Sequence, residues 1–239
     1  MTEPLSADTL SDLLALLAHD LRNPLSALQS NLSFLASSPE RFDLDEREAM
    51  QDAVASSDAL AHMIDSLELL AKVLGSEPIR TPRMLVLAAV VQDVLVRHRN
   101  EATCHGVSLE PDSSLAGEQF RVRSDPAMFT RALGALVRNA IQYSRSGSTV
   151  RVSGWRQGER CGVLVADGGP RLASDFQESA FQPEAQCVAK RRLEARYSRG
   201  LGLYCARTAA RLGAAEVRSV EPPAGATNAF LLSAQAADL

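Results

Sequence analysis

The chain is poor in aromatic residues and has no disulfide or zinc framework. Aromatics make up 5% of its 239 residues, so Leu, Ala and Val must build the core, a composition that suits helices. The four cysteines (Cys104, Cys161, Cys187, Cys205) are widely scattered, with no Cys-x-x-Cys pair and no Cys/His cluster at zinc spacing. They read as free thiols in a reducing compartment. No apolar run approaches the ~20 residues that span a bilayer. The N-terminus has neither the basic region nor the apolar core of a signal peptide. A net charge of -4 lacks the basic excess of a dedicated nucleic-acid binder. These absences predict a cytoplasmic protein with no nucleic-acid partner and no direct membrane insertion. The length and the 46% hydrophobic content allow one large domain or two modest ones.

What is present centres on Ala18-His19-Asp20-Leu21-Arg22-Asn23-Pro24. Leu14, Leu21, Leu28 and Leu35 fall at every seventh position, Leu17 lies on the same stripe, and Ala18, Leu25 and Leu32 widen it. The pattern predicts a helix packed along one face against other helices. With Leu14 at heptad position a, His19 falls at f, outside the stripe. An exposed imidazole followed at once by a carboxylate is a candidate nucleophile with its own proton acceptor. Thr9 or Ser11 is the expected N-cap, and the helix is expected to run to about Ser37. Pro24 lies inside it, where proline removes one backbone bond and kinks the chain at a cost of ~3 kcal/mol.

Ser38-Pro39-Glu40-Arg41-Phe42-Asp43 breaks this helix, and a second is expected from Leu44 to Leu74. Its apolar rows are Met50, Ser57, Ile64, Ala71 and Ala53, Leu60, Leu67, Leu74. Two such helices joined by a short loop make an antiparallel hairpin. A lone hairpin cannot cover both apolar faces, which predicts a four-helix bundle in a homodimer. Gly75-Ser76-Glu77-Pro78 and Thr81-Pro82 place the domain boundary, giving 1–77 and 82–239.

The second domain reads as mixed helix and strand. Helices are expected over Leu87–Ala102, from Pro126 to Tyr143 and over Leu201–Leu212. Strands are expected at Val107–Glu110, Phe120–Arg123, Thr149–Trp155, Cys161–Ala166, Ala215–Val220 and Ala229–Ala234. Three patches carry chemistry. Asn139, near a helix end, offers an uncharged oxygen that can help hold hydrated Mg²⁺. Asp167-Gly168-Gly169-Pro170 ends an apolar strand in an acidic, glycine-rich turn, where a carboxylate can accept from an exocyclic amine such as that of adenine. Gly200-Leu201-Gly202-Leu203 opens a helix whose N-terminal N–H groups favour phosphate.

The order His-Asp-x-x-Asn-Pro, Asn-Ala, Asp-x-Gly, Gly-Leu-Gly-Leu resembles the transmitter module of bacterial sensor histidine kinases over nearly the whole chain. His19–Leu25 resembles the H box, Asn139-Ala140 the N box, Asp167–Pro170 the G1 box, Phe181 the F box and Gly200–Leu203 the G2 box. The implied fold is α+β: a dimerising phosphoacceptor hairpin, then an α/β sandwich of the Bergerat type shared with gyrase and Hsp90. The resemblance implies ATP and Mg²⁺ as cofactors. It implies transfer of the γ-phosphate to His19 with Asp20 as base, then to an aspartate of a response regulator. Asn23 matches the position that orients water when such proteins dephosphorylate their regulator. Asn139, Tyr143, Asp167, Gly169, Gly200, Leu201, Gly202 and Leu203 would line the nucleotide site.

Three positions depart from the family pattern. Ala135 stands where a second asparagine is usual, Gln142 where a basic residue is common, and Arg171 where Asp-x-Gly-x-Gly has its last glycine. Loss of one charged phosphate contact costs ~1.5–3 kcal/mol. Lys190, Arg191 and Arg192 either restore that charge or form a solvated basic run. The expectations are therefore an ATP-dependent protein-histidine kinase with possible regulator phosphatase activity, or a non-catalytic dimeric module that docks a regulator. A gyrase-like ATPase without phosphotransfer fits the H box poorly. With the first helix starting near residue 10 and no receiver segment evident, a separate sensor protein is the expected source of the signal.

Overall fold

The computed structural model describes residues 6–75, 82–117, 119–172, 179–182 and 202–237. The chain divides into two compact units, Met1–Pro78 and Ile79–Leu239.

The first unit is a helical hairpin. Helix α1 spans Ala7–Ala36 and α2 spans Leu44–Leu74, with a 3-10 turn at Pro39–Arg41 between them. The cap of α1 is Ser6, whose Oγ accepts from Thr9 N, rather than Thr9 or Ser11. Ser11 is instead buried, donating its hydroxyl to Ala71 O at 2.8 Å. Helix α2 begins with a capping box in which Asp43 accepts from Glu46 N and Glu46 accepts from Asp43 N. Cross-links between Ser11 and Ala71, Arg22 and Asp65, and Gln29 and Asp58 run in opposite chain directions, as an antiparallel pair requires.

Of the apolar rows on α1, the narrower one seals the hairpin. Ser11, Ala18 and Leu25 are buried, and Ala18 and Leu25 pack with Ile64, Ala61 and Leu67. Small residues at this seam let the helix axes approach closely. The long row is left outside: Leu17, Leu21, Leu28 and Leu35 are 43–55% exposed, as are Leu60 and Met63 of α2 at 49% and 56%. Pro24 sits inside α1 and, having no N–H, cannot donate to the carbonyl of Asp20 one turn earlier.

Among the described residues, the second unit has a seven-stranded sheet with three long helices. In chain order it runs β1 (Arg83–Val86), α3 (Leu87–Cys104), β2 (Ser108–Pro111), β3 (Arg121–Ser124), α4 (Pro126–Tyr143), β4 (Thr149–Gln157), β5 (Arg160–Asp167), α5 (Gly202–Leu212), β6 (Ala215–Val220) and β7 (Asn228–Ala236). The sheet order is β1-β3-β7-β5-β4-β2, with β6 also paired to β7. Among the described residues β2–β4 is the one parallel pair. β4 and β5 form a hairpin whose Gly158 takes φ +56°, a conformation glycine adopts without strain. Helix α4 starts where the sequence places it, with Asp125 as cap and Pro126 in the first turn. β1 is an addition to the expected elements: its four residues follow directly on a proline and run into α3 without a turn signal.

Phe129, Leu133, Leu136 and Ile141 of α4 are fully buried, with Phe230, Leu231 and Leu232 of β7. Phe129→Ala is expected to destabilise this unit by about 3–5 kcal/mol, through lost burial and the cavity left behind. Urea unfolding monitored on the second unit checks it. Cys161 is buried, and burial pushes its thiol above the ordinary value, whereas Cys104 is exposed. Native alkylation followed by peptide mapping is expected to label Cys104 and to reach Cys161 only after unfolding. Cys187 lies outside the described residues.

Candidate functional site

In the hairpin, His19 and Asp20 stand in solvent on α1, their side chains 71% and 66% exposed. His19 Nδ1 lies 3.4 Å from Asp20 Oδ1. A carboxylate only accepts, so this geometry puts the proton on Nδ1 and leaves the Nε2 lone pair outward. Asn23 is exposed on the same helix. Arg22, unremarked in the sequence beyond its place in the motif, reaches across to α2. Its Nη2 donates to Asp65 at 2.8 Å and to Glu68 at 2.7 Å. The Asp65 bond first, then the field of Glu68, holds the guanidinium pKa above its ordinary value.

In the second unit, β5 ends at Asp167, which is fully buried. Its Oδ1 accepts from Gly169 N at 2.9 Å and from Asn228 Nδ2 at 3.0 Å. Asn228 is the first residue of β7 and is directly paired with Asp167 in the sheet. Sequence reasoning passed over it; the available signal was a polar amide opening an otherwise apolar strand, a residue type depleted from strands. Asn139 lies in the last turns of α4, 6% exposed, and its Nδ2 has no hydrogen-bond partner among the described residues. A buried amide left unpaired is costly. Asn139 Oδ1 lies 4.0 Å from where a Cβ on Gly202 would sit, so the N-box amide faces the start of α5. Among the described residues no three His, Cys, Asp or Glu side chains cluster as a metal site.

Tyr143 is half-buried, Gly169 is buried, and Leu203 packs into the core face of α5. Phe181, in a 3-10 turn at Ser179–Phe181, is buried edge-on to Phe230 at 6.1 Å, with the Arg207 guanidinium 4.3 Å from its ring centre. Gly200, Leu201 and the basic run Lys190–Arg192 lie outside the described residues. Ala135 is buried and adds no polar group, and Gln142 is exposed. Arg171 is exposed and its φ is not positive, so the backbone there does not require glycine.

Two family models match. Residues 9–74 match the His Kinase A (phospho-acceptor) domain. Residues 124–236 match the histidine kinase-, DNA gyrase B- and HSP90-like ATPase. The chain belongs to the transmitter modules of sensor histidine kinases. This transmitter is 30% identical over 94% of its length to the sensor-like histidine kinase SenX3 of Mycolicibacterium smegmatis, of which it covers 57%. It is 26% identical over 69% of its length to the sensor histidine kinase CusS of Escherichia coli, covering 33% of that protein. It thus spans a third to somewhat over half of these curated relatives. Among solved structures, full-length ShkA in complex with AMPPNP aligns with 95% of the chain and 47% of its own at TM-score 0.63 and 18% identity. Acinetobacter baumannii AdeS aligns with 92% of the chain and 98% of its own at TM-score 0.56 and 20% identity. These likenesses establish the fold: a helical N-terminal region followed by an α/β sheet domain. Among the described residues, no helix is long and apolar enough to cross a membrane.

Proposed function

We propose that this transmitter is an ATP-dependent protein-histidine kinase that phosphorylates His19 and passes the phosphoryl group to an aspartate of a response regulator. The observation that carries the reading is the solvent-exposed His19 with its Nδ1 3.4 Å from Asp20 Oδ1, an arrangement in which Nδ1 carries the proton and Nε2 the lone pair. The Nε2 lone pair forms the bond to the γ-phosphorus as the bond to the bridging oxygen breaks. ADP leaves with that electron pair, and the Nδ1 proton moves to Asp20. ATP supplies the phosphoryl group, and Mg²⁺ offsets its charge. The buried, unpaired amide of Asn139 and its closeness to Gly202 fit that requirement, and Asp167 fits the base. Gly169, Tyr143, Leu203 and the G2 residues Gly200 and Leu201 complete the proposed site. Asn23 would orient water in a phosphatase reaction on the regulator. Residues 1–77 would form the dimerising phosphoacceptor domain and 82–239 the ATP-binding domain.

Incubation with γ-labelled ATP and Mg²⁺ tests the reaction. Acid-labile, base-stable label on the protein is expected; its absence, with nucleotide still bound, rejects the kinase. A second reading, a non-catalytic dimeric module that docks a regulator, is favoured by the apolar Ala135 and exposed Gln142, which add nothing at the phosphate end. The base end retains its carboxylate. ATP and ADP are accordingly expected to bind alike, at roughly 10 µM to 1 mM. Asp167→Asn should weaken both equally, and Asn139→Asp should mainly impair Mg²⁺-dependent turnover. Calorimetric titration decides: nanomolar ATP binding with a strong preference over ADP would contradict the weak phosphate end.

A further inference from the structure

Asn228 directs its amide nitrogen and its amide oxygen to the turn after β5. The side chain is 5% exposed. Nδ2 donates to Asp167 Oδ1 at 3.0 Å and to Pro170 O at 3.1 Å, with a longer contact of 3.5 Å to Gly169 O. Oδ1 accepts from Leu172 N at 2.8 Å. The amide orientation follows from the partners, since a backbone N–H can only donate and a carbonyl can only accept. One side chain thus ties the Asp167 carboxylate at one end of the turn to the Leu172 backbone at the other. Between them stands Arg171, where the family pattern has glycine.

We propose that Asn228 is the positioning residue of the base-recognition site: it fixes the rotamer of Asp167 toward an exocyclic amine and braces the Asp167–Leu172 turn. The proposal rests on the reading of Asp167 as the base-binding carboxylate. A carboxylate held by two donors on one oxygen is already ordered when the ligand arrives, so no rotamer freedom is lost on binding. That advantage reaches only ligands that use the carboxylate, which separates positioning from a general structural role.

The test is calorimetric titration of the full chain with ATP and with inosine triphosphate, whose base has an oxo group in place of adenine's amine. The native protein is expected to favour ATP by about tenfold or more, as loss of one charge-assisted hydrogen bond predicts. Asn228→Ala should lower ATP affinity about tenfold while inosine triphosphate stays within about twofold, so the discrimination collapses. Asn228→Asp keeps the volume and the acceptor for Leu172 N but sets a second carboxylate against Asp167. It should lose at least as much ATP affinity near neutral pH and regain part of it on acidification, when the pair takes up a shared proton. Circular dichroism confirms folding, and if the alanine variant unfolds, the aspartate variant carries the comparison. Equal loss of both nucleotides, or unchanged ATP affinity, overturns the role of Asn228. If Asp167→Asn binds ATP as the native protein does, the base-binding reading itself has failed, whatever Asn228 does.

Discussion

His19→Gln should abolish acid-labile labelling from γ-labelled ATP while leaving nucleotide binding unchanged. The glutamine amide has no lone pair on nitrogen basic enough to attack phosphorus, so the expected loss is complete rather than partial. The other histidines offer no substitute. His62 Nδ1 lies 3.8 Å from Asp65, which is itself bound by Arg22, and His98 Nδ1 is 3.0 Å from Glu101 with only 14% of its side chain exposed. His105 follows α3 with no neighbouring carboxylate in sequence. Asp20→Asn tests the companion role: it keeps an acceptor beside Nδ1 but removes the charge, and labelling should slow by about 10²–10⁴-fold, the range for loss of general-base assistance. Persistence of label at the native rate in His19→Gln would reassign the phosphoacceptor.

The second large effect is expected at the leucine row of α1. Leu17→Glu with Leu21→Glu should convert a homodimer to a monomer, because both positions are about half exposed in the hairpin and lie off its inner seam. Burying one leucine is worth ~1.5–3 kcal/mol, and two-fold symmetry doubles each substitution, giving four charges forced against apolar surface. The expected result is a mass shift by light scattering at micromolar concentration, with helicity of the second unit retained. A native protein that is already monomeric with folded helices would remove the dimer from the proposal.

The helices of the hairpin were legible because their apolar period continues for eight turns and the break at Ser38–Asp43 is rich in turn residues. What the heptad could not rank was which row faces which helix. Ala18 is small and Leu21 large, so hydrophobicity favours the leucines, whereas close approach of the paired helices favours alanine and serine. The same limit hid Ser6 as the cap, since Ser6, Thr9 and Ser11 are equivalent candidates until the backbone is seen. In the second unit, α4 was plain from Pro126 at its first turn, and the β4–β5 hairpin from two strands separated by Gln157-Gly158-Glu159. β1 was not, because four residues show too little alternation to detect. The site motifs marked Asn139 and Asp167. Asn228, 61 residues from its partner Asp167, is joined to it only by sheet register, which no local pattern encodes.

The leucine row has one more consequence, for discrimination. Leu14, Leu21, Leu28 and Leu35 repeat one side chain along α1. No asparagine or lysine interrupts the row to penalise a wrong register or a foreign hairpin, the device by which mixed pairings are usually excluded. Arg22, Asp65 and Glu68 satisfy one another within a single chain, so they do not sort partners either. In a homodimer the choice of a like partner would fall to the exposed face of α2, where Leu60 and Met63 stand about half exposed.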